Sequence, residues 1–136
     1  MTFCLDASVV LKLLVLEPYS ERAREWLHSH EGDRLIAPTF MFAEVASVLQ
    51  RKASTGEVTP QERSEALDIL DSMNIIPVWD DHLTRRAISL ADATKQPTVY
   101  DTIYLALAER EQCVYLTSDR KFAEAAARAY PLIQVL

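Results

Sequence analysis

Five short runs in this chain are apolar along nearly their whole length, and each is separated from the next by stretches with helical spacing. A strand with one face in water alternates apolar and polar residues. A continuous apolar run is instead buried on both faces, as in a parallel sheet covered by helices. The runs are Thr2–Leu5, Leu35–Ala37 ending at Pro38, Ile75–Trp79, Val114–Thr117 and Leu132–Val135. Between them the spacing predicts helices over Ser8–Leu16, Ser20–His30, Pro38 to about Ala53, a segment from Thr59, Asp80 to about Ala93, Thr98–Glu111 and Asp119–Tyr130. Ala23, Trp26, Leu27 and His30 share one face of the second helix, and Ala66, Leu67, Leu70 and Met73 are expected to face inward from the fourth. Thr59-Pro60-Gln61-Glu62 has the form of a capping box with proline in the first turn. The expected fold is a three-layer α/β/α domain with a central parallel sheet of about five strands.

Length and composition agree with that architecture. The 136 residues, 49% hydrophobic and 25% charged, suit one domain spanning residues 1–136. A chain of this size buries roughly two-thirds of its unfolded surface, so it needs no disulfide or structural metal. Cys4 and Cys113 each sit in apolar surroundings, form no Cys-x-x-Cys pair, and are expected to be buried thiols. The longest apolar run near the start, Val9–Leu16, is broken by Lys12 and falls short of the roughly 18 residues a membrane span needs. No membrane association and a reducing, cytoplasmic setting are the expectation. With only Gly32 and Gly56, the chain has no glycine-rich loop to cradle phosphate, so phosphate chemistry would fall to side chains or a metal.

In open parallel sheets, ligands sit beyond the carboxyl ends of the strands. Asp6 directly follows the first strand, and Asp119 lies two residues past the fourth. Taken singly, each could simply cap the helix it precedes, and Thr98-Val99-Tyr100-Asp101 has the form of a further capping box. Glu44 is different, because no other charge occurs between Arg34 and Arg51 and it shares a helix face with Met41 and Val48. A carboxylate there is costly unless paired, protonated or bound to a metal. Taken together, Asp6, Glu44, Asp101 and Asp119 form the candidate catalytic set. Two carboxylates about 5 Å apart repel by roughly 3 kcal/mol at an effective dielectric near 20, which a hard divalent cation would relieve.

These motifs resemble those of the PIN-domain ribonucleases, most closely the VapC-type toxins of toxin–antitoxin pairs. Leu5-Asp6-Ala7-Ser8 resembles the opening Asp-x-Ser signature, and Pro38 followed by Glu44 the second acidic position. Tyr100-Asp101-Thr102-Ile103-Tyr104-Leu105-Ala106-Leu107-Ala108 is similar to the family's Asp-x-x-Tyr-Leu-Ala-Leu-Ala helix, and Thr117-Ser118-Asp119 with Phe122 to its closing motif. The resemblance spans the chain and loses no motif position. It implies an Mg²⁺- or Mn²⁺-dependent endoribonuclease, usually a homodimer, inhibited by a cognate antitoxin. Carried over by position, Asp6, Asp101 and Asp119 would hold the metal, Glu44 would complete the acidic site, and the Ser8 and Thr117 hydroxyls would orient carboxylates or water. Hydrolysis of RNA in this way yields 5′-phosphate and 3′-hydroxyl ends. A housekeeping RNA-processing nuclease without antitoxin, and a catalytically idle scaffold that dimerises or binds RNA, are the alternatives.

His28, His30 and His82 fall outside every motif, which gives no support to a metal-free histidine mechanism. For RNA contact, Arg120 and Lys121 rank first because they follow Asp119, ahead of Arg51-Lys52, Arg85-Arg86 and Arg128. Tyr100 and Trp79, which flank loops, are better candidates for base stacking than Trp26, Phe40, Phe42 and Tyr104, which lie at core spacing. The formal charge of −6 argues against nucleic acid only until four of the acids are given a cation. One or two divalent ions would bring the total to about −4 or −2, with a shallow salt dependence expected for binding.

Overall fold

The computed structural model describes all 136 residues. In chain order the elements are β1 (Thr2–Leu5), α1 (Ala7–Leu14), α2 (Ser20–Ser29), β2 (Arg34–Pro38), α3 (Phe40–Ser54) and α4 (Pro60–Ser72). There follow β3 (Ile76–Val78), α5 (Asp81–Thr94), α6 (Tyr100–Glu111), β4 (Val114–Thr117), α7 (Arg120–Ala126) and β5 (Ile133–Val135). The five strands form one parallel sheet in the order β3-β2-β1-β4-β5. In the register, Cys4 of β1 lies opposite Ile36 on one side and Tyr115 on the other. Helix α1 packs with α2, α3 and α4 in one layer, while α5 and α6 pair and α6 covers β1, β2 and β4. This is the three-layer architecture that continuous apolar strands require.

Burial follows the sequence pattern closely at the centre. Leu5, Ile36, Leu105, Leu107 and Leu116 are fully buried, and each such side chain contributes about 1.5–3 kcal/mol relative to exposure. Helix α6 is buried from Thr102 through Ala108, which makes it the central helix of its layer. Cys4 and Cys113 are buried free thiols. No helix is long and apolar enough to cross a membrane.

Several local expectations need correction. Helix α3 starts at Phe40 rather than Pro38, because Pro38 is still paired with Val78 in the sheet. Helix α6 starts at Tyr100, its N-cap is Val99, and no side chain caps it, so the Thr98–Asp101 capping box does not form. That leaves the Asp101 carboxylate free for other work. Helix α7 ends at Ala126 instead of continuing to Tyr130, and the chain passes through a turn in which the Ala129 and Tyr130 N–H groups both donate to the Ala126 carbonyl. Leu67 is 39% exposed, because α4 buries only Ala66 and Leu70 where it meets α1 and α3. The capping box at Thr59 and Glu62 forms with both reciprocal hydrogen bonds.

Candidate active site

The strand order places a topological switch between β1 and β4. From β1 the chain moves outward to β2 and β3, then crosses back to β4 on the other flank of β1. Adjacent connections leave this point in opposite directions, which opens a crevice at the carboxyl edge. Asp6 stands at the end of β1 and Asp119 just beyond β4, so the two flank that crevice. Glu44 reaches the same edge from α3 and Asp101 from α6. Mutual charge repulsion acts between Asp6 and Asp119, between Glu44 and both Asp6 and Asp101, and between Asp101 and both Asp6 and Asp119.

Asp6 is the most constrained of the four. Its Oδ2 accepts from the Ser8 backbone N–H at 3.0 Å and from the Ser8 hydroxyl. Its Oδ1 accepts from the Tyr115 hydroxyl at 2.9 Å. Burial raises the Asp6 pKa above the ordinary carboxylate range, the Ser8 and Tyr115 hydrogen bonds oppose that rise, and Asp119 adds to it. Asp6 therefore caps α1 with a carboxylate that stands at the β1 end of the switch point.

The other three acids are held differently. Asp119 is exposed, and its Oδ1 accepts from the Phe122 N–H at 2.9 Å, capping α7. Thr117 Oγ1 accepts from the Asp119 N–H at 3.1 Å, so this buried hydroxyl shapes the turn and touches no carboxylate. Ser8 Oγ also accepts from the Ser118 N–H at 3.2 Å, which ties the β4 turn to the β1 turn. Asp101 makes no side-chain hydrogen bond in the fold and has its pKa pushed up to about 6 by burial, then by Asp6 and Asp119. Glu44 is pushed up to about 7 by burial, then by Asp6 and Asp101. Its Oε1 is buried with no hydrogen-bond partner.

No Lys or Arg compensates this cluster. The ion pairs of the fold all lie elsewhere, among them Arg86–Glu109, Lys52–Glu57 and Arg34–Glu111. Glu44 takes part in none of these ion pairs. No three of the His, Cys, Asp and Glu side chains converge into a ready-made metal cage. What this edge of the sheet offers is a set of hard oxygen donors, one of them orphaned.

Two contributors were not visible in the sequence. Tyr115 sits in the middle of an apolar strand, yet its hydroxyl holds Asp6; Tyr104 stacks on it with ring centroids 5.8 Å apart. The Tyr104 hydroxyl lies near the Ala7 backbone but is buried without a partner in hydrogen-bond geometry. The Ser118 backbone N–H is the second. The histidines remain apart: His30 stacks on Trp26 at 4.3 Å and His28 pairs with Glu31 at 2.8 Å. Arg120 and Lys121 are exposed in the first turn of α7, and Arg120 and Ser118 line a common basin.

Comparison with known proteins agrees with this geometry. A family model described as the PIN domain matches residues 3–128. Ribonuclease VapC47 of Mycobacterium tuberculosis is 32% identical over 124 residues, covering 86% of this chain and 84% of the relative. Ribonuclease VapC3 of Pyrobaculum aerophilum is 30% identical over 133 residues, covering 91% and 94%. Two solved structures share the fold. PAE2754 from Pyrobaculum aerophilum superposes with a TM-score of 0.67 at 21% identity over 92% of this chain and 87% of that one. VapBC2 from Rickettsia felis, solved bound to a DNA fragment from its promoter, gives 0.70 at 14% identity over 100% and 98%. With the motif acids gathered at the switch point of a five-stranded parallel sheet, and a family model spanning nearly the whole chain, the protein belongs to the PIN-domain family and resembles its VapC ribonucleases.

Proposed function

We propose that this chain is a divalent-metal-dependent endoribonuclease, the toxin of a toxin–antitoxin pair, acting as one nuclease domain and as a homodimer. The observation that carries the proposal is the uncompensated acidic crevice. Four carboxylates share one edge of the sheet with no cationic side chain among them, and Glu44 keeps a buried oxygen without a partner. The all-oxygen donor set suits Mg²⁺ or Mn²⁺, hard cations that take oxygen ligands.

In this reading Asp6, Asp101 and Asp119 would hold the cation, and Glu44 would complete the site. When bound, the cation supplies charge neutralisation and Lewis-acid polarisation of the scissile phosphate. Ser8 and Tyr115 fix both oxygens of Asp6 before substrate arrives, so little reorganisation accompanies the reaction. Glu44, raised toward neutrality in the metal-free protein, accepts the proton of the attacking water. Attack of that water on phosphorus breaks the P–O3′ bond, and the departing 3′ oxygen takes a proton from solvent, leaving 5′-phosphate and 3′-hydroxyl ends. The kinship with VapC ribonucleases and with a VapBC assembly supports a cognate antitoxin as partner.

Incubation of purified protein with structured RNA, with and without EDTA, tests this directly. Cleavage is expected only with Mg²⁺ or Mn²⁺, and the mapped products should carry 5′-phosphates. Undiminished cleavage in excess EDTA, or 2′,3′-cyclic phosphate ends, would refute it. Growth arrest on expression, relieved by co-expression of a small protein encoded beside it, separates the toxin from a housekeeping nuclease.

A further inference from the structure

The carboxyl edge of the sheet changes chemical character along its length. From β3 to β5 it spans four strand spacings, about 19 Å. Past β3 stands Trp79, and past β2 stands Phe40; the acidic crevice lies past β1 and β4. Past β4 and β5 lies a basin of about 270 Å³ lined by Lys12, Tyr19, Arg22, Ser118, Arg120 and Leu136, among others. The edge therefore runs aromatic, acidic, basic.

At the aromatic end, the Phe40 ring meets Trp79 edge-on at 6.3 Å and Tyr100 edge-on at 6.0 Å. Phe40 is partly buried against the core, whereas Trp79 and Tyr100 are 44% and 62% exposed. Phe40 lies one helical turn before Glu44 on α3, on the same helix face, and Tyr100 opens α6 one residue before Asp101. At the basic end, Lys12 is largely buried and paired with Glu17 at 3.6 Å. Arg22 and Arg120 are exposed and take part in no ion pair. In the other clusters singled out from the sequence, Lys52 pairs with Glu17 and Glu57, and Arg86 with Glu109, while Arg51, Arg85 and Arg128 line no part of this basin. The Ser118 wall of the basin is joined to Asp6 through Ser8 by successive hydrogen bonds.

Building on the nuclease reading, we infer that a single-stranded RNA lies along this edge, its bases on the β3 side stacked on Trp79 and Tyr100, its phosphates on the β5 side bound by Arg22 and Arg120. Unpaired bases offer π-faces that exposed aromatic rings cover regardless of sequence, and arginines bind phosphates as paired donors. The two chemistries flank the crevice, so the scissile phosphate is centred between them.

The chain has two tryptophans, so a Trp26→Phe background makes Trp79 the sole reporter. Combined with Asp101→Asn to prevent cleavage, this protein is titrated in Mg²⁺ with an RNA of about 12 nucleotides and with an abasic oligomer of equal length. The RNA should quench Trp79 emission and the abasic oligomer should not. As a measurement independent of Trp26, Trp79→Ala and Tyr100→Ala are each introduced into the Asp101→Asn protein. Each should weaken binding of labelled RNA about 5- to 100-fold and leave the abasic probe nearly unaffected. Arg22→Ala and Arg120→Ala should weaken both probes, each flattening the log–log salt slope by about 0.7. RNA that binds without quenching Trp79, or aromatic variants that weaken both probes alike, would overturn this placement while leaving the nuclease reading intact. Conversion of a dimer to monomers by Trp79→Ala, with RNA affinity per protomer unchanged, would assign the aromatic face to a second copy. Failure of the otherwise unaltered protein to bind either probe would overturn the nuclease reading itself.

Discussion

Replacing Glu44 by Gln removes one negative charge from a crevice that holds no cationic side chain, and it leaves the shape of the side chain nearly unchanged. In the metal-free fold the Glu44 pKa stands at about 7 against an ordinary 4.5. The folded state thus holds this proton more tightly than the unfolded chain. Stability is fully retained below about pH 4.5 and falls as the pH rises toward 7. At about 1.4 kcal/mol per pH unit, the full shift corresponds to roughly 3 kcal/mol at pH 8. Glu44 is only half-buried, and solvent screening lowers the expected penalty to about 1–2 kcal/mol. With an unfolding entropy near 0.3 kcal/mol/K for a chain of this length, Glu44→Gln should raise Tm by about 3–7 °C at pH 8. At pH 4.5 the gain should vanish, because Glu44 is already protonated there. Circular-dichroism melts of both proteins in EDTA at the two pH values measure this. A Gln variant that melts at or below the wild type at pH 8, or a gain independent of pH, would refute the electrostatic account. Addition of Mg²⁺ should then stabilise the wild type more than the variant.

Asp101→Asn should lower RNA cleavage roughly 100-fold or more, yet hold or raise the metal-free Tm because burial and two neighbouring carboxylates already disfavour its charge. A clear loss of Tm in EDTA would argue against a repelling cluster. Tyr115→Phe removes the hydroxyl that donates to Asp6. The Mn²⁺ concentration giving half-maximal cleavage should rise about 10-fold, as expected when a group orienting a metal ligand is lost; an unchanged midpoint would show that Ser8 alone positions Asp6.

The sequence by itself determined the layers and named the acids. Continuous apolar runs such as Val114–Thr117 carry their meaning locally, since a strand with no polar face must be covered on both sides. The Thr59–Glu62 cap is equally local, and it forms as spelled. Glu44 was legible because it is the sole charge between Arg34 and Arg51. Element ends were less so: Pro38 belongs to the sheet because Val78, 40 positions away, pairs with it. Leu67 fits the apolar face of α4, yet that helix meets too little of its layer to cover it.

Only the tertiary structure decided what the acids experience. The strand order set the switch point between β1 and β4, and no residue pattern along the chain records that order. It brought the Tyr115 hydroxyl to Asp6 across 109 positions, so a residue spelled as core became a support for the site. It also withheld any cation from Glu44 while pairing Lys52 and Arg86 with acids of their own, leaving Arg22 and Arg120 free beside the crevice. The physical reason is common to all three. A side chain's type fixes what it can bond, but burial and the charges facing it come from segments far away in the chain, and those set its pKa and its partner.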